Sequence, residues 1–240
     1  SAAIHGSALM DEIWQGLTHT LGLIMAANPE VGAIVVLSLK VSGIALVVST
    51  LVGVPLGSWL GLSRFWGRRL FIAFLYTGMG FPPVVVGLFV YLLISQSGPL
   101  GFTGWLFTAP AMIVAQIIIA LPLVAGFTMA AVKGVDPDLK RQLLSLGATR
   151  WQATQAILRE AKLGVIVSIV AGFGGIISEV GAVMIVGGNI EGATRVLTTA
   201  IVLETRRGDF VLALALGLIL LSITFVINLA MLRLQGRTLD

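Results

Sequence analysis

Apolar residues in this chain come in long stretches separated by short polar ones. Five stretches reach the roughly 20 residues that a helix needs to cross a bilayer, at residues 33–59, 70–95, 108–132, 163–187 and 210–232. An earlier segment has a different rhythm. Over residues 11–27, Ile13, Trp14, Leu17, Leu21, Ile24 and Met25 fall on one helical face, opposite Asp11, Glu12, Gln15 and Thr18. That periodicity predicts an amphipathic helix lying on the membrane surface rather than crossing it. The pattern therefore predicts an all-α membrane protein of about five transmembrane helices plus an interfacial helix. No internal repeat or low-complexity tract divides it, so residues 1–240 read as a single transmembrane domain. The segment before Met10, residues 1–9, is expected to be a remnant foreign to the native chain.

Composition sharpens this picture. Hydrophobic residues make up 57% of the chain and charged residues 11%, with a mean hydropathy of +1.03, far from ordinary soluble usage. The net charge of +4 does not point to nucleic acid, because the basic residues lie between apolar spans, where topology accounts for them. There is no cysteine, and both histidines, His5 and His19, precede the spans. No thiolate site or intramembrane histidine cluster is available, and no metal site is expected. No GxxxxGK(S/T) phosphate loop occurs, and no convergent catalytic pair, so neither catalysis nor a cofactor bound by this chain is expected.

Positive charge stays on the cytoplasmic side of membranes, and its distribution sets the orientation. With an outside N-terminus and five spans, 11 of the 15 Lys and Arg residues fall in cytoplasmic segments. Three (Arg195, Arg206, Arg207) lie outside, and Lys40 falls within a span. The inverse arrangement puts the majority on the wrong side. A multi-pass protein of a prokaryotic inner membrane, with a cytoplasmic C-terminus, is the expectation.

Residues 133–162 then form a charged cytoplasmic interruption. Asp136-Pro137 reads as a helix start, since the carboxylate accepts orphan N–H groups and proline suits the first helical position. Leu139, Leu143 and Leu146 share a face, Gly147 ends the helix, and Thr149 caps a second one bearing Trp151, Ala153, Ile157 and Leu158. The prediction is a helix–turn–helix hairpin with Leu146, Ala148, Thr149, Arg150 and Trp151 at or near its bend. Such a basic and aromatic tip suits a groove on a partner. An amphipathic pair resting on anionic lipid headgroups has the same charge pattern.

Within the spans two ionisable residues stand out, Lys40 and Glu179, each roughly 15 Å from the outer end of its span at 1.5 Å per residue. Charges at that depth are paired or wetted. Equal depth permits a Lys40–Glu179 ion pair beside a pathway, a static structural pair, or a lysine reaching the outer interface. Pro82-Pro83, after Gly78 and Gly80, interrupts the second span and marks a gate or a packing kink. In the external connection 188–209, with a short helix expected after Thr194, the hydroxyls of Thr194, Thr198 and Thr199 and the guanidinium of Arg195 suit an oxyanion. Alternatively Arg195 pairs with Glu191 one turn earlier.

The run LLSLGATRWQATQAI resembles the cytoplasmic loop of permease subunits of ATP-binding-cassette importers, whose pattern is Glu-Ala-Ala, three residues, Gly, nine residues, Ile-x-Leu-Pro. Gly147 and Ile157 match at that spacing. Arg141-Gln142-Leu143 replace the acidic start, and Arg159-Glu160 stand where Leu-Pro is expected. TGMGFPPVVVGLFVYLLISQSGPLG at 77–101, SEVGAVMIVGGNIEGATRVLTTAIVLET at 178–205 and LSLKVSG at 37–43 are similar to the oxyanion branch of these importers, the tungstate permeases most of all, with molybdate and sulfate permeases nearby. The resemblance implies a homodimer of this chain, two cytoplasmic subunits that bind ATP and magnesium, and an external oxyanion-binding protein. It also implies that Gly147 and Ile157 belong to the segment that couples to the ATPase.

Overall fold

In the computed structural model, which describes residues 29–236 and Gly22, the chain is helical, and no strand occurs among the described residues. The ten helices traced here are α1 Pro29–Leu62, α2 Arg68–Met79, α3 Pro83–Ile94, α4 Ala109–Lys133, α5 Pro137–Ser145, α6 Arg150–Glu160, α7 Lys162–Ile177, α8 Gly181–Gly187, α9 Leu197–Arg207 and α10 Phe210–Gly236. The amphipathic helix expected over 11–27, and residues 1–9, lie outside the described residues.

Three helices, α1, α4 and α10, are long and apolar enough to cross a membrane individually. The other two expected spans are broken. α2 and α3 meet at 103° around Gly80–Pro82, where Pro82 is extended (φ −61°, ψ 122°) and Pro83 opens α3. A proline at that point has no N–H for the preceding turn, so the helix cannot run on. The expected kink within one rod is thus a sharp corner between two helices. The fourth stretch divides likewise into α7 and α8 at Ser178–Val180, and α6 meets α7 at 69°. Counting the α2–α3 and α6–α7 pairs as one span each brings the total by length and composition to as many as five among the described residues, with α7 supplying the apolar part of the second pair.

α1 and α4 pack together along most of their length. Gly53, Gly57 and Gly61 of α1 recur every fourth residue and face Val124, Ala125 and Val132 of α4, so the backbones approach as only small residues permit. At Gly57 a methyl group would run into the carbonyl oxygen of Ala125. α7 packs on both α4 and α1, and the Thr128 hydroxyl of α4 and the Ser168 hydroxyl of α7 hydrogen-bond at 2.9 Å, buried. α3 packs on α8, and at Gly87 a methyl group would lie 2.6 Å from the Ala182 Cα. The main core, including Val41, Ala45, Val90, Met112, Ile119 and Val186, sits where α1, α3, α4 and α8 converge.

Candidate functional site

The hairpin is built by local chemistry. Asp136 caps α5, its Oδ1 accepting the Asp138 N–H at 2.9 Å. At the far end the Gly147 N–H donates to Leu144 O and the Ala148 N–H to Leu143 O, at 3.1 and 3.0 Å, with Gly147 at φ +88°. This pair of bonds around a left-handed residue closes a helix and reverses the chain, a conformation glycine adopts without strain. Two residues on, Thr149 and Gln152 cap α6 reciprocally: the Gln152 N–H donates to Thr149 Oγ1 at 3.2 Å and the Thr149 N–H to Gln152 Oε1 at 2.7 Å.

The hairpin's two ends have opposite characters. At the bend, Leu146 is 83% and Trp151 68% exposed, and Thr149 and Arg150 are exposed between them. Large apolar side chains on a charged projection mark a surface made for contact. At the base, Ile157 is buried with Val132 and Ala161, against Leu62, Val135, Leu139 and Leu158. Lys140 Nζ donates to Leu62 O, the last residue of α1, at 3.2 Å. Ile157 therefore seats the hairpin on the membrane helices, at the base of the segment expected to couple to the ATPase rather than at its exposed bend.

Of the arrangements that equal depth permits for Lys40 and Glu179, direct pairing is not the one this structure has. Glu179 is buried in the break between α7 and α8, where its Oε1 accepts the Ala182 N–H at 2.9 Å and its backbone carbonyl accepts Thr198 Oγ1 at 2.9 Å. Ser38 Oγ of α1 accepts the Leu197 N–H at 2.8 Å, so this part of α1 stands level with Glu179. Lys40, however, is exposed on α1 and has no hydrogen-bond or ion-pair partner among the described residues. The glutamate's burial is met by a main-chain N–H, and it makes no ion pair with the lysine.

The connection after α8 folds inward onto the bundle. Thr194 Oγ1 donates to Gly187 O and accepts the Ile190 N–H. Thr199 Oγ1 accepts the Val196 N–H at 3.1 Å and so caps α9, the short helix expected after Thr194. With Thr198 bonded to Glu179, all three hydroxyls are committed to main chain. Arg195, its side chain nine-tenths buried, pairs with Glu191 at 3.3 Å and Glu30 at 3.6 Å. These four residues tie the loop to the bundle, with Arg195 in the pairing to Glu191 that the sequence offers as the alternative to an anion contact.

Sequence reasoning passed over Gln116. It is buried in α4, its Nε2 donating to Ile176 O at 3.2 Å while its Oε1 has no partner among the described residues. With Ser38, Ser42 and Thr198 it forms the polar part of the lining of a very small cavity, the rest of which is apolar (Val41, Ile177, Val196, Leu197 and Leu220). The signal was present, because Gln116 is the sole amide side chain of the stretch 108–132.

Comparisons with known proteins bear on this architecture. Residues 53–239 match the protein family described as "Binding-protein-dependent transport system inner membrane component". The chain is 42% identical over 226 residues to the tungstate uptake system permease protein TupB of Peptoclostridium acidaminophilum, covering 94% of this chain and 99% of that one. It is 32% identical to the molybdenum transport system permease protein ModB of Escherichia coli, covering 82% and 93%. Among solved structures, a bacterial ABC transporter involved in import of the acidic polysaccharide alginate matches with a TM-score of 0.67 over 85% of this chain and 78% of that one, at 23% identity, a likeness of fold. A helical, multi-pass body with a projecting hairpin and a family match over most of its length lead to one conclusion: the chain belongs to the binding-protein-dependent transport system inner membrane components, the permease subunits of ABC transporters.

Proposed function

We propose that this chain is the membrane-spanning subunit of an ATP-driven importer of tungstate, acting as a homodimer with an external binding protein and two cytoplasmic ATP-binding subunits. One observation carries the coupling role. The α5–α6 hairpin presents exposed Leu146 and Trp151 at its bend while its base is packed into the ends of α1 and α4. Such a part receives a push at one end and delivers it at the other. The hairpin faces the cytoplasm and the N-terminus the outside, in keeping with the distribution of basic residues. ATP and magnesium are held by the partner, whose closure moves Leu146, Gly147, Ala148, Thr149, Arg150 and Trp151 as a unit. The pathway runs between the two copies. The Pro82-Pro83 corner and the Glu179 break, two places where helical backbone is interrupted, form its gate, and Lys40 offers a positive charge to the passing anion.

Tungstate is favoured by the 42% identity to a tungstate permease along nearly the whole of both chains. Molybdate is the second reading, on the 32% identity to a molybdenum permease. The test is ATP hydrolysis by the complex reconstituted with its binding protein, with tungstate, molybdate or sulfate supplied in turn. Tungstate is expected to stimulate most, and stimulation by molybdate or sulfate alone would reassign the substrate. Uptake without any partner ATPase would overturn the importer reading altogether.

A further inference from the structure

Five cationic side chains converge on one cleft at the end of the bundle that carries the hairpin. The cleft holds about 490 Å³ and is lined by Arg64 and Arg68 from the α1–α2 turn, Lys133 from the end of α4, and Lys140 and Arg141 from α5. One carboxylate, Asp136, shares the lining, and its Oδ1 already accepts the Asp138 N–H. Arg141 is paired with Asp138. Arg68 Nε and Lys140 Nζ each donate to a carbonyl at the end of α1, Leu60 O at 2.8 Å and Leu62 O at 3.2 Å. Arg64 and Lys133 are exposed and have no hydrogen-bond or ion-pair partner among the described residues. The preference of basic residues for one side of a membrane accounts for their being at this end. It does not account for three separate elements directing them into one cleft.

The surroundings of the cleft narrow its ligand. The turn that supplies Arg64 and Arg68 also supplies Trp66, 99% exposed, and α2 continues from it with Leu70, Phe71 and Phe74 all exposed. Trp59 stacks on Phe65 with ring centroids 4.6 Å apart, and Phe65 meets Phe71 edge-on at 5.8 Å, which holds together an apolar wall outside the cleft's own lining, on the segment that carries Arg64 and Arg68. A cationic cleft whose arginines stand at the start of an exposed apolar helix complements an amphiphile. A free tetrahedral oxyanion shares the headgroup chemistry but leaves the wall uncovered. We propose that the cleft binds the phosphate of an anionic phospholipid, with the acyl chains lying along α2. The headgroup bridges Arg64 and Lys133 and joins the base of the hairpin to the ends of α1 and α4.

The experiment is native mass spectrometry of the full chain from detergent, titrated with phosphatidylglycerol or phosphatidylcholine, with inorganic phosphate as the soluble competitor. Phosphatidylglycerol is expected to be retained in preference to phosphatidylcholine, and phosphate is expected not to displace it. Removing two charges in R64Q/K133Q is expected to weaken retention roughly 30-fold, about fivefold per charge. The charge-keeping R64K/K133R and a basic-residue control elsewhere, R206Q, are expected to bind as the wild type does. Both altered residues are exposed, so an unchanged thermal midpoint separates lost binding from lost folding. Equal retention by R64Q/K133Q and wild type would overturn the proposal. Displacement by phosphate without headgroup preference would overturn the lipid assignment and leave a soluble oxyanion as the ligand.

Discussion

Gly57 has no room for a methyl group. A Cβ there would meet the Ala125 carbonyl, with the Thr128 Cβ at 3.0 Å behind it, and neither backbone can withdraw because both are helical. We predict that Gly57→Ala destabilises the protein by about 1–3 kcal/mol, the usual consequence of overpacking a close helix contact, and lowers the detergent-solubilised thermal midpoint by several degrees. Gly43→Ala on the same helix, where nothing lies within 4 Å of the added atom, is the control and is expected to leave the midpoint unchanged. Equal midpoints for the two variants would show that α1 and α4 do not touch at this point. A stripe of glycines at four-residue spacing is visible in the sequence, but which neighbour it meets is decided by the fold. The same holds for Lys40 and Glu179. Their common level follows from counting residues along two helices, whereas the direction each side chain takes depends on helix rotation, which spacing does not specify. Ser38 and Thr198 tie that level together while Lys40 is left exposed.

At the scale of the element, the α5–α6 hairpin was legible almost to the residue. Its cap at Asp136, its stop at Gly147 and its restart at Thr149 are local devices, each settled within four residues of sequence. Its division of labour was not legible, because burial of Ile157 depends on Val132 and Leu62, which arrive from distant parts of the chain. That division makes a prediction. Leu146→Ala and Trp151→Ala remove exposed side chains, so they are expected to keep the thermal midpoint while reducing transport-coupled ATP hydrolysis by roughly tenfold, the loss of one modest contact. Ile157→Ala should instead unseat the hairpin, at about 2–5 kcal/mol, visible as faster hydrogen exchange across residues 137–160. If Leu146→Ala and Trp151→Ala lower the midpoint and leave coupling intact, the tip is structural and the partner docks elsewhere. The corner between α2 and α3 illustrates the opposite case. Pro82-Pro83 announces a break, but the 103° angle goes with the packing of Gly87 on Ala182, a contact between segments nearly a hundred residues apart.

For the whole molecule, α4 is the central helix, packed against α1, α2, α3, α7 and α8, and the exposed faces of α1, α3 and α10 carry large apolar side chains such as Leu51, Phe89 and Phe225. In the proposed assembly, lipid and a second copy of the chain divide those faces between them. We predict a protein mass in detergent, by light scattering, of twice the 25.2 kDa of one chain; a single-chain mass in every mild detergent would remove the homodimer from the proposed assembly. The 34 residues of α1 also have a mechanical meaning. From Leu62, held by Lys140 at the hairpin base, to Ser38, bonded to Leu197, the helix runs about 36 Å at 1.5 Å per residue. A tilt of roughly 5° about the base carries Ser38 about 3 Å sideways over that length, comparable to the 2.8 Å hydrogen bond that Ser38 makes there. In the proposed coupling, such a tilt would part α1 from α9 at the level of Glu179, with α4 carried along because it packs on α1, so that the length of α1 would set how far a small movement at the hairpin base is magnified.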